Sequence, residues 1–263
     1  MWNALRIAFA FLTRLPVRMP VDLPGTFLAR SSAFFPLVGW LVGGVMAVVA
    51  WVTLALGGTP LLAAALAVAA AAWLTRGLHL DGVADLCDGL GGSHEPARRL
   101  AIMKDSATGA FGVIGLVLLI LVKAAALAAI LAQALSVADC GYPLLFLPVL
   151  IGLLVAPAAS RWAMASLAFG TRYPREIGTG HAFVGQVRAG YLVFGLFFLF
   201  PFLALAPRPA LVGILCAQLP AVWLRFKCNK ALGGITGDVL GTACELGETA
   251  GWLGIALLGR WLW

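Results

Sequence analysis

The stretch that decides the fold class is SSAFFPLVGWLVGGVMAVVAWVTLALGGTPLLAAALAVAAAAWLT, residues 31–75, which contains no charged side chain. A helix needs about 20 apolar residues to cross the hydrocarbon core of a bilayer, so this stretch is long enough for two crossings. The turn-forming run GGTP at residues 57–60 interrupts it. We therefore predict one membrane span at residues 34–56 and a second at residues 60–78.

The composition of the whole chain extends this prediction. Of its 263 residues, 62% are hydrophobic and 11% are charged, and the mean hydropathy is +1.00. An ordinary soluble domain carries about 25% charged residues, so the excess apolar surface must face lipid. Further apolar segments predict spans at residues 110–135, 143–169, 190–206, 210–226 and 239–262. The predicted fold is all-α: one polytopic membrane helix bundle over residues 1–263, with about seven spans (roughly six to eight).

The first twenty residues lack the order of a cleavable signal peptide. Arg6, Arg14 and Arg18 are spread among apolar residues. A signal peptide places its charge first, an apolar run second and small residues last. We therefore predict that residues 1–20 form an amphipathic segment that lies in the membrane interface.

The basic residues predict the orientation. Lys and Arg are enriched in cytoplasmic loops, and with the N-terminus inside, 14 of the 18 fall on the cytoplasmic side: Arg6, Arg14, Arg18, Arg30, Arg76, Arg98, Arg99, Lys104, Arg172, Arg175, Arg188, Arg225, Lys227 and Lys230. Arg208 and Arg260 fall outside, and Lys123 and Arg161 lie within predicted spans. We predict a cytoplasmic N-terminus, so the net charge of +7 is mainly a topology signal. No basic patch alternates with aromatic residues, which argues against nucleic-acid binding.

Most of the acidic residues fall in short stretches that this topology places near the cytoplasmic face. In HLDGVADLCDG, residues 79–89, the spacing of Asp81, Asp85 and Asp88 puts them on one helix face. Like charges on one face repel one another unless a cation lies among them, and carboxylate oxygens suit Mg²⁺ or Ca²⁺. The alternative is a solvated acidic face, or acids paired with the basic residues that follow.

A second acidic stretch is GGITGDVLGTACELGE, residues 233–248, in which Asp238 and Glu245 share a helix face and Glu248 follows. Its glycines recur every fourth residue, a spacing that allows close packing of helices. One interpretation is a second acidic wall, residues 229–248, that faces the first across a cleft. The alternative is a glycine packing seam whose acids reach the membrane surface.

Between the two acidic stretches lies RLAIMKDSATGAFG, residues 99–112. Lys104, Asp105 and Ser106 precede a glycine turn at the start of a predicted span, where backbone donors and the helix dipole favour phosphate. Ser106 and Thr108 are equally suited to capping the helix. Residues 79–112 are therefore a predicted cytoplasmic catalytic segment.

Acidic clusters beside cytoplasmic cations on a membrane scaffold suit a diphosphate substrate bound with Mg²⁺. CDP-alcohol-type phosphotransferases and polyprenyl transferases both meet this description, although the D-G-x-x-A-R segment of the former is absent. His79 is either a base or hydrogen-bond donor to substrate, or a structural histidine at the end of a span. A transporter is the rival class, because Lys123 and Arg161 lie within predicted spans. However, the acids lie on one face, and a scaffold subunit would explain neither acidic cluster.

Several short motifs occur in a fixed order: FLTRLPV at 11–17, FPLVG at 35–39, the 79–89 run, MKDS at 103–106 with Gly109, SR at 160–161, YPRE at 173–176, TGD at 236–238 and ELGE at 245–248. In order and spacing they resemble the adenosylcobinamide-GDP ribazoletransferase (cobalamin synthase) family over residues 11–248. The resemblance implies an enzyme of the bacterial inner membrane whose active site faces the cytoplasm. In the implied reaction, α-ribazole or its 5′-phosphate attacks the phosphate nearest the cobinamide of adenosylcobinamide-GDP, and GMP leaves.

The same resemblance implies roles for individual residues, with Mg²⁺ as the cofactor. Asp81, Asp85 and Asp88 would bind Mg²⁺ and the diphosphate. The second wall would supply further metal ligands from Asp238, Glu245 and Glu248, with Glu245 or His79 as the base. Contacts to phosphate and substrate would come from Arg14, Lys104, Asp105, Ser106, Arg161 and Thr236. Association with other cobalamin-assembly enzymes or with a second copy of the chain stays open.

Overall fold

The computed structural model describes residues 1–17, 26–139, 146–175 and 178–262, and this part of the chain contains helices and turns but no strand. Its α-helices are α1 (Trp2–Leu12), α2 (Thr26–Ser31), α3 (Phe35–Ala55), α4 (Pro60–Leu74), α5 (Leu78–Gly92), α6 (Pro96–Ile102), α7 (Ala110–Asp139), α8 (Phe146–Ala168), α9 (Ala189–Leu196), α10 (Phe200–Leu205), α11 (Pro207–Leu232) and α12 (Gly237–Leu262). Two 3₁₀ turns occupy Ser32–Phe34 and Thr179–Ala182. The all-α prediction is confirmed. Arg18 and Glu176, named in the predictions above, lie outside the described residues.

Long apolar helices confirm the polytopic membrane class. Within the described ranges, four segments are long and apolar enough to cross a bilayer: Phe27–Ala55, Ala110–Ser136, Leu150–Ala168 and Pro207–Leu232. The helices α4 and α5 pass the same test only as a pair, and they are bent by 92° at the break between them. The bend turns α5 away from the direction of α4, and the sequence analysis assigns α5 to the predicted cytoplasmic segment 79–112.

The remaining predicted spans differ from a simple crossing. The predicted span at 190–206 is divided into α9 and α10, which together are too short by this test. The last predicted span is covered by α12, but its acidic residues keep it from qualifying by composition. In the described part of the chain, each of the seven predicted segments is helical. Length and composition qualify four of them as spans, or five with the bent pair.

The helix α12 lies at the centre of the bundle, where it packs against α11, α8, α5 and α7. Its first half, with Leu240, belongs to an apolar core that also contains Phe35 and Met164. Its second half, with the fully buried Trp252, belongs to another core that includes Ile130. The charged residues in the middle of α12 therefore lie between two apolar cores.

The bend between α4 and α5 is made by two consecutive left-handed residues, Arg76 (φ 57°) and Gly77 (φ 65°). Glycine adopts this conformation without a steric penalty, and a non-glycine residue does so rarely. The end of α1 is fastened to the bend, because Arg14 donates its backbone N–H to Leu74 and Arg76 donates to the carbonyl of Ala10. The N-terminal segment is thus helical over Trp2–Leu12 and part of the bundle.

Candidate active site

The acidic helix α5 lies directly against the start of α12. A Cβ on Gly82 would lie 2.8 Å from the carbonyl oxygen of Asp238, and a Cβ on Gly241 would lie 3.1 Å from the Cα of His79. The hydroxyl of Thr242 lies 3.0 Å from the carbonyl oxygen of Gly82. Position 82 requires glycine because the backbone of Asp238 leaves no room for a Cβ, and at Gly241 a Cβ would fit only if the backbone of His79 moved by a few tenths of an ångström.

This contact brings the first acidic stretch to Asp238, the first acidic residue of the second stretch. Asp81, which is exposed, lines the same cavity as Asp238. Burial first, and then the carboxylates of Asp238 and Asp81, raise the pKa of Asp85 to about 7. Opposite charge comes from Arg175, whose Nη2 lies 3.3 Å from Oδ2 of Asp238. The three carboxylates therefore form one crowded group with a single guanidinium bonded to it.

The crowded carboxylates fit a Mg²⁺ ion that binds together with a substrate. Across the described residues, no three His, Cys, Asp or Glu side chains are close enough to hold one ion by themselves. Mg²⁺ usually takes one or two carboxylates and completes its shell with waters and substrate phosphates. Burial first, and then the neighbouring carboxylates, raise the pKa of Asp85, and a divalent cation bound here would offset the repulsion between these carboxylates. Asp81 and Asp238 are the residues best placed to hold it.

Asp88, predicted to bind metal, has another bonding role here. Its Oδ2 accepts the backbone N–H of Gly109 at 2.7 Å, and its Oδ1 accepts that of Gly112 at 2.8 Å. These are the unpaired donors at the start of α7, which every helix leaves free at its N-terminus. Asp88 therefore caps α7 from a different helix. Metal binding by Asp88 stays a prediction.

The two glutamates of the second stretch lie deeper, in a buried network of four charges. Lys123 bonds to Glu245 and lies 3.0 Å from Oε1 of Glu248, while Nη1 of Arg161 lies 3.0 Å from Oε2 of Glu248. All four side chains are at most 9% exposed. Glu245 follows Asp238 by seven residues, or about 10 Å along the helix. The second stretch is thus divided, and only Asp238 meets the acids of α5.

His79 lies between these two groups. It is 3% exposed, and neither ring nitrogen has a hydrogen-bond partner within the described residues. Burial, and secondly Arg161, lowers the pKa of His79 to about 3, so the ring is neutral and holds one donor and one acceptor. Both hydrogen-bonding positions are unused.

The predicted phosphate contacts divide into surface and interior positions. The Arg14 guanidinium stacks over Trp73, 4.1 Å from the ring centroid, beside the bend that precedes α5. Lys104, Asp105 and Ser106 are exposed in the turn before α7, where Asp105 accepts the N–H of Ala107. The other two predicted contacts are buried. Arg161 belongs to the charge network, and the hydroxyl of Thr236 accepts the N–H of Val239 at the start of α12.

The structure adds residues that the sequence analysis gave no role at the site. Arg76 and Thr108 line a second opening beside Asp81, and Arg175 bonds to Asp238. In the sequence analysis, Lys123 supports only the alternative of a transporter with an ion pathway. A charge within a span requires a buried partner, and Glu245 and Glu248 share a helix face by their spacing, so this pairing could have been inferred.

Comparison with known proteins identifies the family of the chain. The family model for cobalamin-5-phosphate synthase matches residues 4–256. The chain belongs to this family. The cobalamin-5-phosphate synthases are enzymes of cobalamin synthesis, and the chain is accordingly a transferase.

Relatives of this synthase family are similar over nearly the whole chain, and those named here are all called adenosylcobinamide-GDP ribazoletransferase. One from Syntrophobacter fumaroxidans is 41% identical over 253 residues, covering 94% of this chain and 96% of the relative. One from Pseudomonas fluorescens strain Pf-5 is 42% identical over 256 residues, covering 95% and 98%. One from Escherichia coli O139:H28 is 35% identical over 243 residues, covering 91% and 93%. No solved structure matches the chain.

Proposed function

We propose that this protein joins adenosylcobinamide-GDP to α-ribazole or its 5′-phosphate and releases GMP, with Mg²⁺ bound at the contact between α5 and α12. The observation that carries the proposal is the meeting of Asp81 with Asp238 at one opening, with Asp85 close enough for both carboxylates to raise its pKa. The relatives that match nearly the whole chain are named for a transfer between the same two substrates.

The reaction needs one bond made and one broken at phosphorus. A hydroxyl oxygen of the riboside attacks the phosphate nearest the cobinamide, the bond to the bridging oxygen breaks, and GMP leaves with that oxygen. When bound, Mg²⁺ neutralises the diphosphate and stabilises the leaving phosphate. Asp81 and Asp238 would hold the ion, and the bound ion would keep the diphosphate near α5.

The hydroxyl proton must go to a base, and Asp85 is the best placed. Burial is the largest cause that raises the pKa of Asp85 above its ordinary value, and a raised pKa suits a carboxylate that must accept a proton. Glu245, the base inferred from sequence, is already bonded to Lys123 inside the bundle. We therefore assign the base to Asp85.

Cations around the opening are suited to the rest of the diphosphate. Arg76 lines the opening at Asp81, and Arg175 lies beside Asp238. Guanidinium groups bind phosphate through two parallel hydrogen bonds. Lys104 and Arg14 are exposed on neighbouring turns and extend the basic rim. These side chains would orient the diphosphate for attack.

We place the active site at the cytoplasmic face of the bacterial inner membrane. The distribution of Lys and Arg supports this orientation, and a nucleotide-bearing substrate comes from the cytoplasm. The four-charge network argues against a transporter, because its two cations and two anions are bonded to one another within the bundle. Association with other cobalamin-assembly enzymes or with a second copy stays a prediction.

Purified protein in detergent, supplied with adenosylcobinamide-GDP, α-ribazole and Mg²⁺, should form adenosylcobalamin and GMP in equal amounts. Asp85→Asn should reduce kcat by about 10²–10⁴-fold, because the base is lost, while adenosylcobinamide-GDP still binds by calorimetry. Glu95→Gln, at an exposed position before α6, is the matched control and should keep full activity. No GMP from wild-type protein with both substrates present would contradict the proposed function.

A further inference from the structure

An apolar groove lies between α7 and α11. Both helices pack against α12 and have no extensive contact with each other, and the gap between them has a volume of about 620 Å³. Its sides include Leu118 of α7 and Leu219 and Trp223 of α11, all of which are exposed. Because α7 and α11 both qualify as membrane spans, the groove opens toward the hydrocarbon core of the bilayer.

The floor of the groove suits hydrocarbon. Its two hydroxyl groups are already engaged, because those of Thr242 and Thr249 lie 2.8 Å from carbonyl oxygens one turn earlier in α12. Apolar side chains such as Val83 of α5 and Leu253 of α12 line the floor beside them. A pocket of this volume is large enough for a small-molecule ligand, and its floor favours one that is apolar.

Two cations lie at one end of the groove. Lys227 and Lys230 follow Trp223 by four and seven residues, so they lie on the same face of α11 as the groove. Both lysines are exposed, and neither forms an ion pair within the described ranges of the chain. A short turn connects the end of α11 at Leu232 to the start of α12 at Gly237. The lysines therefore mark the end of the groove where α12 begins.

We infer that this groove binds an anionic phospholipid, with its acyl chains between α7 and α11 and its headgroup phosphate at Lys227 and Lys230. Basic sites between membrane helices bind anionic headgroups. Trp223 supports this position for the headgroup, because tryptophan is enriched where the hydrocarbon core meets the headgroups. The inference is independent of the proposed function, since neither substrate enters the groove.

A lipid bound here would contact the helices that carry the acidic site. Val83 belongs to α5, and Thr242 bonds to the carbonyl oxygen of Gly82 from the floor of the groove. The lipid is therefore a ligand of the folded state that packs against α5 and α12. Added phosphatidylglycerol should raise the melting temperature of the wild-type protein in detergent, and it should raise that of a variant without the two lysines by less.

The first experiment measures lipid selectivity. Native mass spectrometry of the purified protein with equal amounts of phosphatidylglycerol and phosphatidylethanolamine should show about tenfold preference for the anionic lipid. The double variant Lys227→Gln, Lys230→Gln should retain the two lipids within about twofold of each other, because the charge partners of the headgroup are lost. Arg208→Gln, an exposed position at the other end of α11, is the matched control and should keep the wild-type preference.

The second experiment locates the lipid. A phosphatidylglycerol with a photoreactive diazirine in its acyl chain should label Leu118 and Leu219 in preference to Val48 and Trp51, which line a different apolar groove. Leu118→Trp should lower retention of phosphatidylglycerol by about tenfold, because the acyl chain then buries fewer methylene groups.

Leu121→Trp is the control for Leu118→Trp. Leu121 is also exposed on α7 but does not line the groove, so lipid retention should not change.

The outcomes distinguish a lipid site from ordinary contact with the bilayer. Equal labelling of both grooves would mean that lipids merely surround the protein, and it would overturn the inference. Equal retention of the two lipids by wild-type protein, or an unchanged preference in the double lysine variant, would overturn it as well. An unlabelled groove in a protein that is dimeric by size-exclusion chromatography would assign the groove to a second copy. Absence of GMP release would contradict the proposed function alone.

Discussion

Thr242 of α12 places its hydroxyl 3.0 Å from the carbonyl oxygen of Gly82 in α5. The same hydroxyl lies 2.8 Å from the carbonyl oxygen of Asp238, one turn earlier in its own helix. This contact therefore joins the two acidic stretches at the point where their carboxylates meet. In the sequence, Gly82 and Asp238 are 156 residues apart. The distance between Asp81 and Asp238 depends on this contact.

The closeness of α5 and α12 predicts the effect of one methyl group. In Gly82→Ala the added Cβ would lie 2.8 Å from the carbonyl oxygen of Asp238, so the helices must move apart. Overpacking of this kind costs about 1–3 kcal/mol, and we expect a lower melting temperature in detergent together with a loss of turnover. Gly44→Ala, where the new Cβ meets nothing within 4 Å, should change neither. If Gly82→Ala keeps the wild-type melting temperature and turnover, the close contact between α5 and α12 is needed for neither stability nor activity.

The acidic face predicts a dependence on divalent metal. Asp81→Asn removes a charge that would hold Mg²⁺, and we expect turnover to fall by orders of magnitude while the Mg²⁺ concentration for half activity rises about tenfold. Titration of activity with Mg²⁺ measures both effects, and Glu95→Gln should follow the wild-type curve. Wild-type rate and metal dependence in Asp81→Asn would mean that the acidic face is structural.

The buried charge network predicts a stability effect. Lys123→Met leaves Glu245 without its partner, and breaking a buried ion pair costs about 3–5 kcal/mol. A second change, Glu245→Gln, should restore part of the lost melting temperature because it removes the unpaired charge. The test is thermal unfolding of the single and double variants in detergent. If Glu245→Gln alone melts like wild type and yet loses all turnover, the role of Glu245 is the catalytic one that the sequence suggested.

The orientation of the bundle can be tested independently of activity. A cysteine at Ser93, a half-buried residue in the α5–α6 connection, should be labelled only from the cytoplasmic side, and a tag after residue 263 should be reached only from the periplasm. The expected result follows from the 14 of 18 basic residues assigned to the cytoplasm. Labelling of position 93 from the periplasm would invert the orientation and remove the site from its nucleotide substrate.

The fold class could be predicted because apolar length and turn residues are local signals. The 92° bend at Arg76 and Gly77 was not predicted, since a single glycine beside a span can end it or redirect it equally well. The seven-residue spacing of Asp238 and Glu245 correctly gave a shared helix face. It could not show that the neighbours of α12 change along its length, from α5 at one end to Lys123 of α7 further on.

The acidic residues of α5 also show which contacts cannot be predicted from the sequence. Their shared face was evident from the spacing, but Asp88 is engaged by two backbone donors of α7. Backbone groups look alike in every sequence, so such a partner cannot be inferred from residue types. The role of Arg175 depends on a loop reaching the start of α12, and this too is a property of the assembled chain.

The cap that Asp88 provides for α7 determines how the α5–α7 connection behaves. The connection is held at its end by Gly109 and Gly112, and in its middle by Arg99, which donates to the carbonyls of Ser93 and Ala231 at 2.7 and 3.1 Å. From these bonds we predict that the connection forms a fixed rim beside the acidic face and does not close over it as a lid. If so, the rate at which substrates arrive should depend on diffusion and charge and not on loop opening.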